Sequence, residues 1–304
     1  MPYRSEHPHM ITGCFFAIAA TALWSGNFIV ARGLNESIPP ISLAFWRWVV
    51  AVVVFLPFAV KRLIDEWPEI RRHKLYLSVT SFIGVTLFNT LIYFAGHTTT
   101  AMNLSLIAIT FPIFIVILSR IIFGERITVK KSAGIILVVT GVVLLISKGS
   151  LASLLNISFA VGDIWMLAAS ILFAVYSILV KQKPEPLSIS AFQLATFILG
   201  LIFLFPFFVW EHVTVPSVVF DTTTIGSILY VGIFASLCAF VLWNKSISII
   251  GPSKAGIIYY TLPVFSGISA YFFLNETIRM VHLYSVLLIV SGIVIANHEA
   301  KKSV

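Results

Sequence analysis

The sequence contains few charged residues: Asp, Glu, Lys and Arg make up 11% of its 304 residues. A typical soluble domain carries about 25%. Hydrophobic residues account for 59%, which is too large a share for a domain surrounded by water. The scarcity of charge therefore excludes a soluble globular protein and predicts an integral membrane protein.

The sequence also lacks the usual signatures of catalysis and metal binding. It has no His-Glu-x-x-His, Gly-x-Ser-x-Gly or Gly-x-x-x-x-Gly-Lys-Ser/Thr motif, and no close group of cysteines and histidines. Its two cysteines, Cys14 and Cys238, both fall in apolar segments, so no disulfide framework is expected. We expect neither an enzyme nor a cofactor or metal, and the chain has no room for the nucleotide site of an ATP-driven pump.

Long apolar runs are the most abundant feature that the sequence does contain. They are about 20 residues long and do not alternate strictly, so they predict membrane-spanning helices rather than barrel strands. The predicted fold class is all-α. Ten transmembrane helices are expected, at residues 10–31, 40–60, 74–96, 100–123, 129–147, 159–181, 188–210, 223–246, 252–274 and 280–298.

The sequence repeats itself once, at an interval of 151 residues. At this interval Pro112 matches Pro263, and Gly141 matches Gly292. Residues 1–148 and 149–304 are therefore predicted to be two copies of one five-helix unit. Because five spans return the chain to the opposite side of the membrane, the second copy should be inverted. Inverted repeats are an architecture of secondary transporters.

Lysine and arginine residues are concentrated at one set of helix ends. With a cytoplasmic N-terminus, 16 of the 20 fall at cytoplasmic ends and three, Arg32, Lys148 and Arg279, at the opposite ends. This bias predicts that both termini are cytoplasmic. It also explains the net charge of +8 through topology and anionic lipid headgroups, so no nucleic-acid partner is expected.

Several short motifs occur in a fixed order along the chain. They are Ala22-Leu23-Trp24-Ser25-Gly26-Asn27-Phe28, Phe45-Trp46-Arg47-Trp48, Phe123-Gly124-Glu125-Arg126, Gly162-Asp163, Gly251-Pro252-Ser253-Lys254-Ala255 and Leu274-Asn275-Glu276. Their order and spacing resemble the drug/metabolite transporter superfamily, in its ten-helix EamA-type branch, over nearly the whole chain. The resemblance implies a multi-pass protein of the inner or plasma membrane that moves a small organic molecule. This branch includes exporters of amino acids and other metabolites.

The repeat and the resemblance together predict a secondary transporter that works by alternating access. We expect an amino acid, in particular an aromatic one, as substrate and export as the direction, because a cation and many aromatic residues fall inside the spans. An exporter of lipophilic drugs or other metabolites and a passive channel are the alternatives. The expected partners are the small-molecule substrate and membrane lipids. A homodimer is compatible with the sequence, but a monomer suffices.

Polar residues inside the spans are the candidates for substrate contacts, because their burial in hydrocarbon is costly. Arg47 has two interpretations: it meets a substrate carboxylate, or it has a structural role, snorkelling to the membrane interface beside Trp46 and Trp48 or bonding to helix carbonyls. For the remaining candidates, interhelical hydrogen bonding or interfacial packing is the alternative. These candidates are Trp24, Asn27, Asn89, His97, Asn103, Tyr176, Ser177, Gln193, Tyr259 and Tyr260.

Three acidic residues lie next to helix starts rather than near the centre of a span. Glu125, Asp163 and Glu276 are each interpreted as a helix cap, because a carboxylate there accepts N–H bonds and interacts favourably with the helix dipole. The absence of an acid near a span centre favours facilitated diffusion, with proton antiport as the alternative.

Prolines and small residues indicate where helices bend and where they approach one another. Pro112 and Pro263 fall inside the fourth and ninth helices and predict a kink in each, which serves as a hinge or as a static bend. Small residues at seven-residue intervals predict close contact of the fifth and tenth helices, within one chain or between subunits. They are Gly134, Gly141, Ser285 and Gly292.

Overall fold

The structure is a computed structural model that describes residues 7–33, 37–99, 101–156, 158–215, 220–266, 268 and 280–297. Within these ranges all regular structure is helical, which confirms the all-α class. Nine of the described stretches are long and apolar enough to cross a membrane. The longest, Thr222–Ser266, has 45 residues and is divided at Gly251, whose φ of 81° and ψ of 162° are not helical. The described ranges thus contain at least part of each of the ten predicted helices, while residues 267 and 269–274 of the predicted ninth helix lie outside them.

We number the ten helices in chain order. They are α1 (His7–Gly33), α2 (Pro40–Asp65), α3 (Lys74–Thr98), α4 (101–123), α5 (Val129–Ile146), α6 (Val161–Lys181), α7 (Ile189–Thr214), α8 (222–250), α9 (252–266) and α10 (Met280–Asn297). Two short helices, Trp67–Arg72 and Leu151–Leu155, lie in connections. The predicted end of α7 at residue 210 is wrong: the helix continues to Thr214 and includes Glu211.

The second repeat is inverted relative to the first, as the packing of α2 on α7 shows. Phe45, near the start of α2, stacks on Phe208 near the end of α7, with 4.0 Å between ring centroids. Phe55, further along α2, contacts Phe197 near the start of α7 at 6.5 Å. The corresponding helices of the two repeats therefore run antiparallel.

The start of α2, which we call the Pro40 end of the bundle, is capped by a residue of the other repeat. The residue preceding the helix is Pro39, which has no side-chain acceptor for the first N–H groups. Glu211 of α7 supplies the missing acceptor. The Glu211 carboxylate accepts hydrogen bonds from Ile41 N at 3.0 Å, from Ser42 N at 2.6 Å and from Ser42 Oγ at 2.8 Å. The first turn of α2 is thus held by α7.

The opposite end of the pair, which we call the Asp65 end, has a corresponding contact. Glu66 follows α2 directly and accepts a hydrogen bond from Ser188 N, at the start of α7, at 2.7 Å. A carboxylate is favourable at a helix N-terminus because of the helix dipole. Each helix of the α2–α7 pair therefore finishes near a glutamate that binds the start of the other helix.

Helices α5 and α10 approach so closely that their backbones touch. A methyl group on Gly134 would lie 2.6 Å from Gly292 O, and one on Gly141 would lie 2.9 Å from Ser285 O. Any larger side chain would have to displace the neighbouring backbone. The predicted contact of the fifth and tenth helices therefore forms within one chain.

Helices α3 and α8 each contain one wider, π-helical stretch, Phe82–Leu87 and Val231–Cys238 respectively. A tryptophan of another helix donates its indole N–H into each stretch. Trp48 Nε1 lies 3.0 Å from Val85 O, and Trp24 Nε1 lies 2.8 Å from Ala235 O. Hydrocarbon offers no water to satisfy carbonyl groups that a wide turn displaces. The two tryptophans therefore stabilise the wide turns.

Candidate functional site

Arg47 lies at the centre of a polar cluster to which α1, α2, α3 and α8 contribute. Its Nε donates to Ser236 Oγ at 2.6 Å. Its Nη1 donates to Asn27 Oδ1 at 3.2 Å, to Asn89 Oδ1 at 2.8 Å and to the Tyr93 hydroxyl. The Tyr93 hydroxyl lies 3.1 Å from Asn27 Oδ1 and donates to it. We call these five residues the arginine cluster.

The guanidinium of Arg47 is completely buried, with a side-chain environment that is aromatic as well as polar. The residue is 0% exposed, and its Cζ lies 5.3 Å from the ring centre of Trp48 and 5.6 Å from that of Tyr93, which are cation–π distances. Trp48 is itself 0% exposed. This geometry excludes the alternative in which Arg47 snorkels to the membrane interface.

The positive charge of Arg47 has only neutral partners among the described residues. No carboxylate oxygen in the described ranges lies within 4.0 Å of it. Arg47 Nη2 and Asn89 Nδ2 are buried and have no acceptor in the described part of the chain. A buried charge without an opposite charge is costly.

A second polar cluster joins α6, α7 and α8. The Tyr176 hydroxyl lies 3.2 Å from Asn244 Oδ1 and 2.9 Å from Asn244 Nδ2, which also donates to Gln193 Oε1. The three residues are between 0% and 2% exposed. Gln193 Nε2 is buried without an acceptor in the described ranges. We call these three residues the amide cluster, and none of them carries a charge at neutral pH.

The two clusters occupy corresponding places in the two repeats. Asn27 is on α1, the first helix of its repeat, and Tyr176 is on α6, the first helix of the second. Tyr93 on α3 and Asn244 on α8 are related by the 151-residue interval of the sequence repeat. Inversion therefore places one cluster towards the Pro40 end and the other towards the Asp65 end.

An aromatic layer separates the two clusters. On α8, Ser236, Phe240 and Asn244 follow one another at four-residue spacing, so the clusters lie about 12 Å apart along the helix at 1.5 Å per residue. Phe173 is central in the layer, 4.3 Å from Phe88 and 5.3 Å from Trp24 between ring centroids. The rings of the layer are Trp24, Phe88, Phe111, Phe173, Phe240, Trp243 and Tyr259.

The structure brings most of the predicted site residues together, but not all of them. Asn27 and Asn89 contact Arg47, Tyr176 is in the amide cluster, and Trp24 and Tyr259 are in the aromatic layer. The side chains of these five residues are all buried between the helices.

Asn103 and Tyr260 have other surroundings. Asn103 Nδ2, in the first turn of α4, donates to Asp163 Oδ2 at 3.0 Å and to Ser158 O at 2.9 Å, at the start of α6. Tyr260 packs in a separate apolar cluster with Ile109 and with residues of α5 and α10. Neither side chain contributes to the arginine or amide clusters as we define them.

The acidic residues predicted to be caps behave differently from one another. Asp163 Oδ2 accepts from Ala160 N, the residue before α6, at 2.8 Å, and Asp163 Oδ1 accepts from the Thr99 hydroxyl at 2.5 Å. This carboxylate therefore joins the start of α6 to the end of α3. Glu276 lies outside the described residues.

For Glu125 the predicted role is wrong. The cap of α5 is Thr128, whose Oγ1 accepts from Lys131 N at 3.1 Å. Glu125 lies four residues before the first residue of α5, too far back to reach its N–H groups, and its carboxylate lies 3.4 Å from Lys131 Nζ instead.

Both predicted proline kinks coincide with breaks in the helices. The α-helical turns of α4 are interrupted at Ile109, three residues before Pro112. In α9 the residues Tyr259–Thr261 form a 3-10 turn shortly before Pro263. Proline removes one helical hydrogen bond and clashes with the preceding turn. The breaks therefore lie at matching positions in the two repeats.

The sequence candidates did not include four residues that the structure places in the clusters or at the start of α2: Tyr93, Ser236, Asn244 and Glu211. Tyr93 lies four residues after Asn89, so helical spacing alone could have placed it beside Arg47. Ser236 is an ordinary small residue of a span, and no sequence signal distinguishes it. Glu211 was expected in a connection, and its role becomes visible only when α7 lies against α2.

Ten helices in two inverted repeats, with buried polar clusters on both sides of an aromatic layer, define a multi-pass membrane transporter. Comparison with known families agrees with this class. The model of the EamA-like transporter family matches residues 11–147 and, a second time, residues 160–297. The chain belongs to the EamA-like transporter family.

Similar curated proteins are named as transporters and not as enzymes. An "Uncharacterized transporter" of Archaeoglobus fulgidus is 32% identical over 266 residues, which cover 84% of this chain and 86% of the relative. The "Uncharacterized transporter YyaM" of Bacillus subtilis is 26% identical over 274 residues, which cover 89% of this chain and 88% of the relative. A "Probable amino-acid metabolite efflux pump" of Salmonella typhimurium is 26% identical over 292 residues, which cover 92% of this chain and 93% of the relative.

A solved crystal structure has the same fold. It superimposes with a TM-score of 0.76 and 20% sequence identity, and the match covers 96% of this chain and 97% of the other.

Proposed function

We propose that this transporter exports an amino acid or a closely related carboxylate by alternating access, and that the carboxylate binds Arg47. The single observation that carries the proposal is the buried guanidinium, which is 0% exposed and has neutral partners in the described ranges. An anionic substrate group would supply the missing charge and an acceptor for Nη2.

The surroundings of Arg47 support an amphipathic substrate. The aromatic layer lies next to the arginine cluster, because Trp48 of α2 contacts Phe240 at 5.2 Å between ring centroids. Aromatic side chains bury large apolar groups favourably. The name of the Salmonella relative, an efflux pump for amino-acid metabolites, supports the same class and direction. A purely lipophilic drug would leave the buried charge without a partner.

Counterflow in proteoliposomes tests the proposal. Purified protein is reconstituted with unlabelled phenylalanine inside, and uptake of labelled phenylalanine is followed. We expect saturable counterflow that excess phenylalanine inhibits and that phenylalaninamide, which lacks the carboxylate, does not. Equal inhibition by the amide would show that no carboxylate site is used.

Substitution of Arg47 gives a second measurement. Arg47→Lys should reduce counterflow by about tenfold or more, because an ammonium does not reproduce a bidentate guanidinium–carboxylate pair. Arg62→Lys, at an exposed position near the end of α2, is the matched control and should transport normally. Wild-type counterflow by a well-folded Arg47→Lys variant would remove Arg47 from the site.

A further inference from the structure

We propose that the amide cluster is a second, neutral subsite, in which Gln193 binds a hydrogen-bond acceptor at the end of the substrate remote from the carboxylate. This inference rests on the proposed function, because it assumes that the carboxylate is at Arg47. It adds Gln193 and Asn244 to the binding residues and narrows the substrate class.

The free hydrogen-bonding capacity of Gln193 is the first observation. Its Oε1 accepts from Asn244 Nδ2, while its Nε2 is buried and has no acceptor in the described ranges. An amide that is 0% exposed and has an unused N–H donor loses the hydrogen bonds that water would provide. A ligand acceptor at this position would recover that free energy.

The second observation is that the neighbours of Gln193 are held in place. Asn244 bonds to both Gln193 and the Tyr176 hydroxyl, so its amide is oriented by two partners. Trp243 Nε1 donates to Ser177 Oγ at 3.1 Å beside the cluster. The donor of Gln193 is therefore presented by a rigid network rather than by a mobile side chain.

The third observation is the distance between the two clusters. Ser236 of the arginine cluster and Asn244 of the amide cluster are separated by about two turns of α8, or about 12 Å, and Phe240 lies between them. This separation, shortened by the side chains at both ends, suits a molecule of the length of an aromatic amino acid. Its apolar body would lie among the aromatic rings.

The aromatic layer can admit such a body if rings at the proline breaks move. Phe111 lies one residue before Pro112, and Tyr259 begins the 3-10 turn before Pro263. The two rings contact each other with 4.6 Å between centroids. Rotation of either helix at its break would therefore separate these two rings and open the layer.

The chemistry of the amide cluster selects one class of substrate. Because the cluster is neutral, a second charged group would be buried there without a counter-charge, at high cost. Because Gln193 offers a donor, the preferred remote group is a hydroxyl, ether or carbonyl oxygen. The inferred substrate is an amphipathic carboxylate with an aromatic or apolar body and one such oxygen at its far end.

Competition in the counterflow assay tests this inference. Labelled phenylalanine is the reporter, and O-methyltyrosine and 4-ethylphenylalanine are the competitors, since they have nearly the same shape and differ in the ether oxygen. We expect O-methyltyrosine to compete about tenfold more strongly, which corresponds to about 1.4 kcal/mol. This comparison uses the wild-type protein and needs no variant.

Substitution of Gln193 locates the effect. Gln193→Leu should abolish the advantage of O-methyltyrosine over 4-ethylphenylalanine, because leucine has no N–H donor for the ether oxygen. Gln182→Leu, at the end of α6 and outside the cluster, is the matched control and should retain the advantage.

The outcomes distinguish the two proposals. If the wild type transports phenylalanine but does not distinguish the two competitors, the subsite is overturned and the proposed function stands. The subsite is also overturned if Gln193→Leu retains the full preference. If phenylalanine and both competitors fail to bind, the proposed function itself is overturned, together with the inference that rests on it.

Discussion

In the first repeat, Asn27 of α1 and Tyr93 of α3 bond to a buried arginine, whereas in the second repeat Tyr176 of α6 and Asn244 of α8 bond to one another, and Asn244 also bonds to an amide. The backbone framework around the two clusters is nevertheless alike. Each repeat has one wide turn that receives a tryptophan indole and one break just before a proline.

This comparison separates two kinds of feature. Features that occur in both repeats belong to the framework, because an inverted copy needs the same bends and contacts to pack against its partner. Features that differ, above all the charge of Arg47, give the two faces of the aromatic layer different chemistry. A transported molecule with two unlike ends would therefore have a fixed orientation between them.

The largest expected change in stability concerns the two glutamates of the α2–α7 pair, Glu211 and Glu66. Glu211 is 3% exposed and accepts three hydrogen bonds from α2. Glu66 is half-buried, and within the described residues it accepts one hydrogen bond, from Ser188 N. Glu211→Ala should reduce the stability by about 3 kcal/mol, since three donors of α2 lose a charged acceptor. Glu66→Ala should cost less than about 1 kcal/mol.

Thermal unfolding of the purified variants in detergent, followed by tryptophan fluorescence, measures both effects. Phenylalanine competition should be unaltered in the folded fraction of each variant, because neither glutamate contacts the clusters. Equal losses of stability at the two positions would contradict the difference between the Pro40 end and the Asp65 end.

The contact between α5 and α10 tests the features that the repeats share. A Cβ at Gly134 would lie 2.5 Å from Ala296 N, so Gly134→Ala should destabilise the protein by about 2 kcal/mol through overpacking. Gly226 of α8 has open space around the same position, and Gly226→Ala should instead stabilise by up to about 1 kcal/mol through helix propensity. Opposite shifts of the unfolding temperature are expected, and shifts of the same sign would contradict the close approach.

The smallest expected effect concerns the third helix of each repeat. α8 is capped by Asp221, whose carboxylate accepts from Thr224 N at 2.7 Å, while α3 begins after His73 without a side-chain cap. This hydrogen bond lowers the pKa of Asp221 below its ordinary value. Because the pKa is lower in the folded state, the carboxylate stabilises the fold above the unfolded pKa of about 4. That stability is lost as the pH falls through the lower folded value.

Asp221→Ala should therefore lower the unfolding temperature slightly at pH 7, and the difference from wild type should disappear at a pH well below 4. Unfolding scans of both proteins from pH 7 down to pH 2 provide the measurement. A difference that persists unchanged at the lowest pH would mean that the ionised carboxylate is not the stabilising group.

Much of the fold follows from local sequence patterns. The lengths of the apolar runs predict the helices, and the interval from Pro112 to Pro263 predicts the repeat. The inversion follows from an odd number of spans in each unit. These predictions succeed because the hydrocarbon requires helices wherever a long apolar segment crosses it.

The composition of the site depends on contacts between distant segments and is less predictable. Asn27, Asn89 and Asn103 are indistinguishable as buried amides in the sequence, yet only the first two contact Arg47. Glu211 lies 170 residues from Ile41, whose N–H it binds. The face that each helix turns towards its neighbours decides such contacts, and no single helix contains that information.

The wide turns have a consequence for how the sequence can change. The carbonyls of Val85 and Ala235 accept indole N–H groups from Trp48 and Trp24, which belong to different helices. Loss of a tryptophan would leave its carbonyl unpaired in a dry interior, while loss of the wide turn would leave the indole unpaired. Each turn and its tryptophan should therefore show strong epistasis: either change alone is harmful, and a compensated double change is milder.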